Sequence, residues 1–95
     1  MKVAAYIRTA TNNLESYRQQ LNAIHEYCEG KGHSYTLYED TATSGHDTGK
    51  QLLELINNVN KYDLIVTESV ERLTRNYSIF HELKNTFRDK LVILN

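Results

Sequence analysis

The sequence predicts an α/β fold: a parallel or mostly parallel sheet of about four strands, covered by helices on both faces. Three observations predict it. Strand-like and helix-like segments alternate as β-α-β-α-β-α-β, the order of a parallel sheet built with right-handed crossovers. The apolar residues switch between short runs and stripes of helical period. The 95 residues make one small domain, 1–95, near the lower end of what folds alone, and contain no internal repeat, linker or low-complexity tract.

Residues 2–7 (K-V-A-A-Y-I) are apolar and strand-like, and the strand ends in Tyr6 and Arg8. Residues 16–30 carry Leu21, Ile24, Tyr27 and Cys28 as a helical stripe, with Gly30 and Gly32 as stop signals. Residues 34–39 alternate polar and apolar, as a strand open on one side does. The Thr-, Ser- and Gly-rich stretch 41–49 reads as a loop. Leu52, Leu55, Ile56 and Val59 form the next stripe, over 50–60. Residues 63–67 (D-L-I-V-T) form a short buried strand. Ile79, Phe80, Leu83 and Phe87 mark a helix over 77–89, and 91–94 (L-V-I-L) the last strand.

Composition narrows the function classes. Hydrophobic content of 40% suits a packed globule, with a polar mean hydropathy of -0.58. A net charge of -1 argues against a domain that coats nucleic acid, because counterion release needs several cationic contacts. The single cysteine, Cys28, excludes an internal disulfide and fits a helix residue in a reducing cytoplasm. The apolar runs are too short to span a bilayer. No two of the four histidines have H-x-x-x-H spacing, so neither a metal site nor a cofactor is expected. His25 and His81 read as helix-surface residues and His46 as a loop residue. The seven tyrosines are spread along the chain, as core and rim residues are.

Chemistry concentrates after the strand at 63–67, in the run V-E-R-L-T-R-N. The carboxylate of Glu71 and the guanidiniums of Arg72 and Arg75 fall within about one turn there, followed by Asn76. Two arginines three apart share a helical face, and planar five-donor guanidiniums grip phosphate bidentately. An open α/β sheet places its ligand crevice at such strand ends.

Together with Y-I-R at 6–8, this run resembles the catalytic domain of the serine recombinases, the resolvase and invertase family, whose pattern is Y-x-R-V-S-T and later D-R-L-x-R. S-Y-R-Q-Q at 16–20 is similar to the family's S-L-x-x-Q, and Y-E-D-T-A-T-S-G at 38–45 to its Y-x-D-x-G-x-S-G. The resemblance runs in order over nearly the whole chain. It implies a resolvase-like sheet and attack of a serine hydroxyl on a DNA phosphodiester, giving a 5′-phosphoserine link, with arginines stabilising the phosphorane. Arg8, Arg72 and Arg75 fall on family arginines, and Tyr6, Gln20 and Ser44 on motif positions assigned here to phosphate or DNA binding. A further family arginine falls on Lys50 when counted from Ser44, or on Gly49 when the leucines are aligned.

The nucleophile position holds Ala10, whose methyl group cannot attack phosphorus. Thr9 has the wrong strand parity, and Thr11 lies one position further on. Glu71 stands where the family has aspartate and is expected to pair with an arginine. The resemblance therefore implies a site-specific recombinase catalytic domain, inactive as written, or alternatively a stand-alone silent homologue that binds phosphate, DNA or a partner protein. Its expected partners are DNA, held weakly by this domain alone, and a full-length recombinase or second copy. No dimer helix and no DNA-binding module are expected within 1–95, and the chain is expected to be a monomer or weak dimer.

Overall fold

The computed structural model describes residues 1–10, 13–42 and 49–95. Four strands, β1 (Val3–Ala10), β2 (Tyr35–Ala42), β3 (Leu64–Thr67) and β4 (Leu91–Ile93), form one all-parallel sheet in the order β2-β1-β3-β4. Between them run α1 (Leu14–Lys31), α2 (Lys50–Asn57), the single turn α3 (Val70–Leu73) and α4 (Tyr77–Phe87). Single 3-10 turns at Val59–Lys61 and Arg88–Lys90 follow α2 and α4.

Period-2 alternation along β1 divides the core. Val3, Ala5 and Ile7 face one way and pack with Ile24 and Cys28 of α1 and Val66 of β3. Ala4 and Tyr6 face the other way and pack with Leu52 and Leu55 of α2, Leu73 of α3, and Leu83 and Phe87 of α4. The sheet thus has α1 on one face and the other helices on the opposite face, the three-layer arrangement predicted. Cys28 is fully buried within α1, and burial pushes its thiol pKa up.

Strand order fixes where a ligand can sit. The chain leaves β1 toward α1 on one face and leaves β3 toward α3 on the other. A crevice therefore opens outside the carboxyl ends of β1 and β3, the switch point of the topology.

The strands at the site are longer than the apolar runs suggested. β1 continues past Ile7 to Ala10 because β2 pairs with it rung for rung, from Val3↔Tyr35 to Ala10↔Ala42. β3 reaches only to Tyr6↔Thr67. Beyond Tyr6, β1 therefore has a strand neighbour on one side alone.

Candidate phosphate site at the carboxyl ends of β1 and β3

Arg8 and Ala10 lie on the same face of β1 as Tyr6, at successive alternate positions. Arg8 is half-buried and Ala10, on the last rung, is exposed. Thr9 points to the opposite face, as strand parity requires.

The backbone of Arg8 needs partners where β3 has ended, and Gln20 of α1 supplies them. Gln20 Oε1 accepts from the Arg8 N–H at 3.1 Å, and Gln20 Nε2 donates to the Arg8 carbonyl at 2.9 Å. The same amide nitrogen donates to the Ser16 carbonyl and to Ser16 Oγ. One carboxamide thus replaces one residue of a missing strand. Gln20 has no exposed surface, so its role here is to fix the Arg8 backbone rather than to meet a ligand.

Tyr6 is likewise fully buried. Its hydroxyl donates to Asp40 Oδ2 at 2.7 Å. Burial, then this bond to a carboxylate, raises its pKa above the ordinary tyrosine value. It supports the site from below and offers no free donor to a phosphate. Asp40, on β2 opposite Arg8, also accepts the backbone N–H groups of Gln51 at 2.9 Å and Leu52 at 3.0 Å. It therefore caps α2 from a different strand, with its charge at the positive end of the helix. Gly49, the residue before α2, lies against that carboxylate: a Cβ there would meet Asp40 Oδ2, Cγ and Cβ. Of the two positions weighed for the remaining family arginine, Gly49 is held by this contact, and Lys50 is exposed in the first turn of α2. Ser44, His46 and Thr11 lie outside the described residues.

On the β3 side, Leu73 is fully buried with Ala4 and Tyr6 and anchors α3 to the same face of β1. Arg72 Nε bonds Glu68 Oε1 at 3.3 Å, with both side chains largely covered. Glu68, and not Glu71, is thus the acidic partner; Glu71 is exposed. The helix also stops sooner than predicted. Thr74 is extended (φ -169°, ψ 154°), so Arg75 lies beyond α3 and does not share a helical face with Arg72. The reason is local: Thr74 Oγ1 accepts the Asn76 N–H at 3.0 Å, and Asn76 Oδ1 accepts the N–H groups of Ser78 and Ile79. These side-chain bonds end one helix and start the next.

Glu71 and Arg75 line an open pocket of about 450 Å³ with Val70, Thr74, Asn76, Tyr77 and Phe80. Arg8, Ala10 and Arg72 are not among its lining residues. The site residues thus fall into two groups around the switch point: Arg8 and Ala10 at the end of β1, and Glu71 and Arg72 on the α3 turn with Arg75 just beyond it. Among the described residues, no three His, Cys, Asp or Glu side chains are placed to hold a metal ion, and no helix is long and apolar enough to cross a membrane.

Sequence reasoning gave no role to Asp40 or Glu68. Glu68 carried a signal, since an acid four residues before an arginine pairs readily on a helical turn. Asp40 carried only its place in a quoted motif, because its partners lie 11, 12 and 34 residues away.

The family model described as resolvase, N terminal domain, matches residues 3–94. Among solved structures, the C-terminal catalytic domain of ISC1926 TnpA, an IS607-like serine recombinase, superposes with a TM-score of 0.86 at 25% identity, covering 100% of this chain and 68% of that one. The N-terminal catalytic domain of TP901-1 integrase gives 0.84 at 26% identity, covering 100% and 78%. The first ORF of transposon ISC1904 from Sulfolobus solfataricus gives 0.77 at 24%, covering 100% and 68%, a likeness of fold. No curated protein sequence matches this chain.

Proposed function

Because the chain belongs to the resolvase N-terminal domain family and is a site-specific serine recombinase catalytic domain, we propose that its strand-end arginines hold a DNA phosphodiester that the chain, as written, does not cleave. The observation that carries this reading is the register of β1. Ala10 occupies the last rung, exposed, two residues beyond Arg8 on the same face. That is the place from which a hydroxyl would attack a phosphate held by Arg8. A methyl group has no lone pair to offer, and phosphoserine formation cannot begin.

Arg8, Arg72 and Arg75 supply the electrostatic half of the chemistry. Their guanidiniums place positive charge where the non-bridging oxygens gain negative charge. The Glu68 carboxylate orients Arg72 from behind, through Nε, and leaves its two terminal nitrogens for a bidentate contact. Gln20 holds the Arg8 backbone, and Asp40 holds both Tyr6 and the start of α2, so the first and second strand ends keep a fixed spacing. DNA is the proposed partner. With three or four cations at this edge, the log–log salt slope of binding is about -3 to -4.

The test is a covalent-adduct assay on supercoiled DNA. The chain as written should give no protein–DNA adduct on a denaturing gel, and Ala10→Ser should gain one that migrates with a single protein copy per cut strand end. An adduct formed by the Ala10 chain would overturn the reading.

A further inference from the structure

In an all-parallel sheet every helix-to-strand connection returns to the same edge. Here those connections are 32–34, 58–63 and 88–90, and residues 1–2 lead into β1 at the same end. This amino edge lies about 26 Å from the phosphate site, the length of an eight-residue strand. It carries Lys2, Lys61, Arg88 and Lys90 against Asp63 and Asp89, an excess of cations in a chain whose net charge is -1.

Two concavities adjoin there across the 3-10 turn Val59–Lys61. One, of about 260 Å³, is lined by Lys2, Ser34, Thr36 and Lys61. The other, of about 460 Å³, is lined by Asn60, Asn85, Thr86, Arg88 and Lys90. The wall between them is fixed: Lys90 Nζ donates to the Val59 carbonyl at 3.0 Å. Asp63 is engaged by the Lys2 backbone N–H at 2.8 Å.

Arg88 singles this edge out. It has φ 52° and ψ -131°, and among the described residues no other non-glycine has positive φ. Glycine adopts that conformation without strain; an L-side chain does not. Strained backbone of this kind gathers at functional positions. The Arg88 side chain is exposed, and among the described residues it makes no hydrogen bond or ion pair. The fold thus holds an unpaired guanidinium at a position whose backbone favours glycine.

We infer that the amino edge is a second DNA-binding surface, which grips a phosphate backbone without reading sequence. The choice of DNA as its polyanion rests on the recombinase reading; the surface itself does not use the strand-end arginines. Its lining mixes cations with amides and hydroxyls, which bond phosphate and sugar oxygens, beside Tyr35 and Tyr62 in the smaller concavity and Asp89 in the larger. Four cations, Lys2, Lys61, Arg88 and Lys90, and one carboxylate, Asp89, line the two concavities, and none of the large exposed apolar side chains, Met1, Leu14, Leu53 and Tyr77, does, so the charge favours a polyanionic backbone over an apolar protein surface. At about 26 Å from the first site, on the opposite edge of the sheet, the surface meets a different stretch of DNA.

Titration of a labelled 20-base-pair duplex over a series of salt concentrations tests this, with three variants beside the parent chain. Arg88→Gly should melt no lower than the parent, since glycine suits the backbone there, yet its log–log salt slope should be shallower by about 0.9. Arg88→Gly with Lys61→Gln should lose about 1.8 of slope. Arg72→Gln with Arg75→Gln removes strand-end cations and should leave the amino-edge contribution intact. If the strand-end variant changes nothing while the amino-edge variants weaken binding, the phosphate-site reading fails and this one stands. Unchanged affinity and slope in both amino-edge variants would overturn it. So would poly-glutamate binding tighter than duplex at equal salt and lost in the same variants, which would mark a surface for acidic protein. An Arg88→Gly chain that melts below the parent would remove the strain argument and overturn the assignment of Arg88.

Discussion

Gly49→Ala should unfold the start of α2, although the backbone there accepts alanine. Gly49 has φ -67° and ψ 154°, an ordinary extended conformation, and loss of chain freedom in the unfolded state would by itself stabilise the variant by about 0.4–1 kcal/mol. The obstacle is Asp40. An alanine Cβ would lie against its Oδ2 and Cγ and 2.9 Å from its Cβ. Rotating the carboxylate away relieves the first two contacts but not the third, which moves only with the β2 backbone. Rotation also breaks three hydrogen bonds: from the Tyr6 hydroxyl, from Gln51 N–H and from Leu52 N–H. A buried hydroxyl without a partner costs about 1–3 kcal/mol, and a lost cap about 0.5–2 kcal/mol. The expected net loss is about 3 kcal/mol, a large share of the stability of a domain this size. Urea denaturation of a double-mutant cycle measures it. In an Asp40→Gly background the clash is gone, so Gly49→Ala should there be neutral or mildly stabilising, with a coupling energy of about 3–4 kcal/mol. A Gly49→Ala single variant within about 0.5 kcal/mol of the parent would refute the packing argument.

Gln20→Ala should cost about 1–3 kcal/mol by stripping the partners of the Arg8 N–H and carbonyl, and amide hydrogen exchange at Arg8 should accelerate more than at Val3. Arg88→Gly should stabilise: strain relief of about 1–3 kcal/mol exceeds the cost of a freer unfolded chain, roughly 0.5–1 kcal/mol, and calorimetry should show Tm higher by several degrees. Tyr6 has its pKa raised in the fold, so its contribution is fully present below the unfolded tyrosine value of about 10 and is lost as pH rises above it. Between pH 10 and 11 the parent should therefore lose up to about 1.4 kcal/mol more stability than Tyr6→Phe in denaturant titrations.

How far the sequence carried depended on the range of the interaction. Strands and helices follow from periodicity within a dozen residues: all four strands and the three long helices are present, although β1 and β2 run past their apolar patterns to Ala10 and Ala42, so that 41–42 are strand and not loop, and α2 stops at Asn57. Helix ends depend on single side chains. The α3 turn stops at Thr74 because Thr74 and Asn76 bond nearby backbone N–H groups, a signal that was present in T-R-N-Y-S but was outweighed by the spacing of the two arginines. The support of the site was not legible. The family resemblance puts Tyr6 and Gln20 among the ligand contacts because their motif positions border the arginines. Their burial follows from tertiary facts: β3 ends one rung past Ala5, and β2 brings Asp40 beside Tyr6. Whether a polar residue meets the ligand or braces the residue that does is decided by which strand stops first.

The same topology explains why the two edges of this sheet can differ in character. At the carboxyl edge the connections part to opposite faces at the switch point, leaving a crevice flanked by Arg8 at the end of β1 and Arg72 on α3. At the amino edge the connections arrive side by side, and short 3-10 turns place Lys61, Arg88 and Lys90 at the walls of two concavities. A crevice of converging donors suits a single phosphate held for chemistry, whereas a groove of spaced cations suits a run of phosphates held for position. Ala10 is exposed on the last rung and takes no part in the core, so a change of its side chain leaves the packing at both edges undisturbed. Ala10→Ser should therefore leave Tm within about 1 °C of the parent, as surface substitutions do, and leave duplex affinity at both edges unchanged. Any gain of adduct formation would then report the added hydroxyl alone, whereas a shift in Tm of several degrees would show that the β1 end is remodelled and that Ala10 belongs to the packing after all.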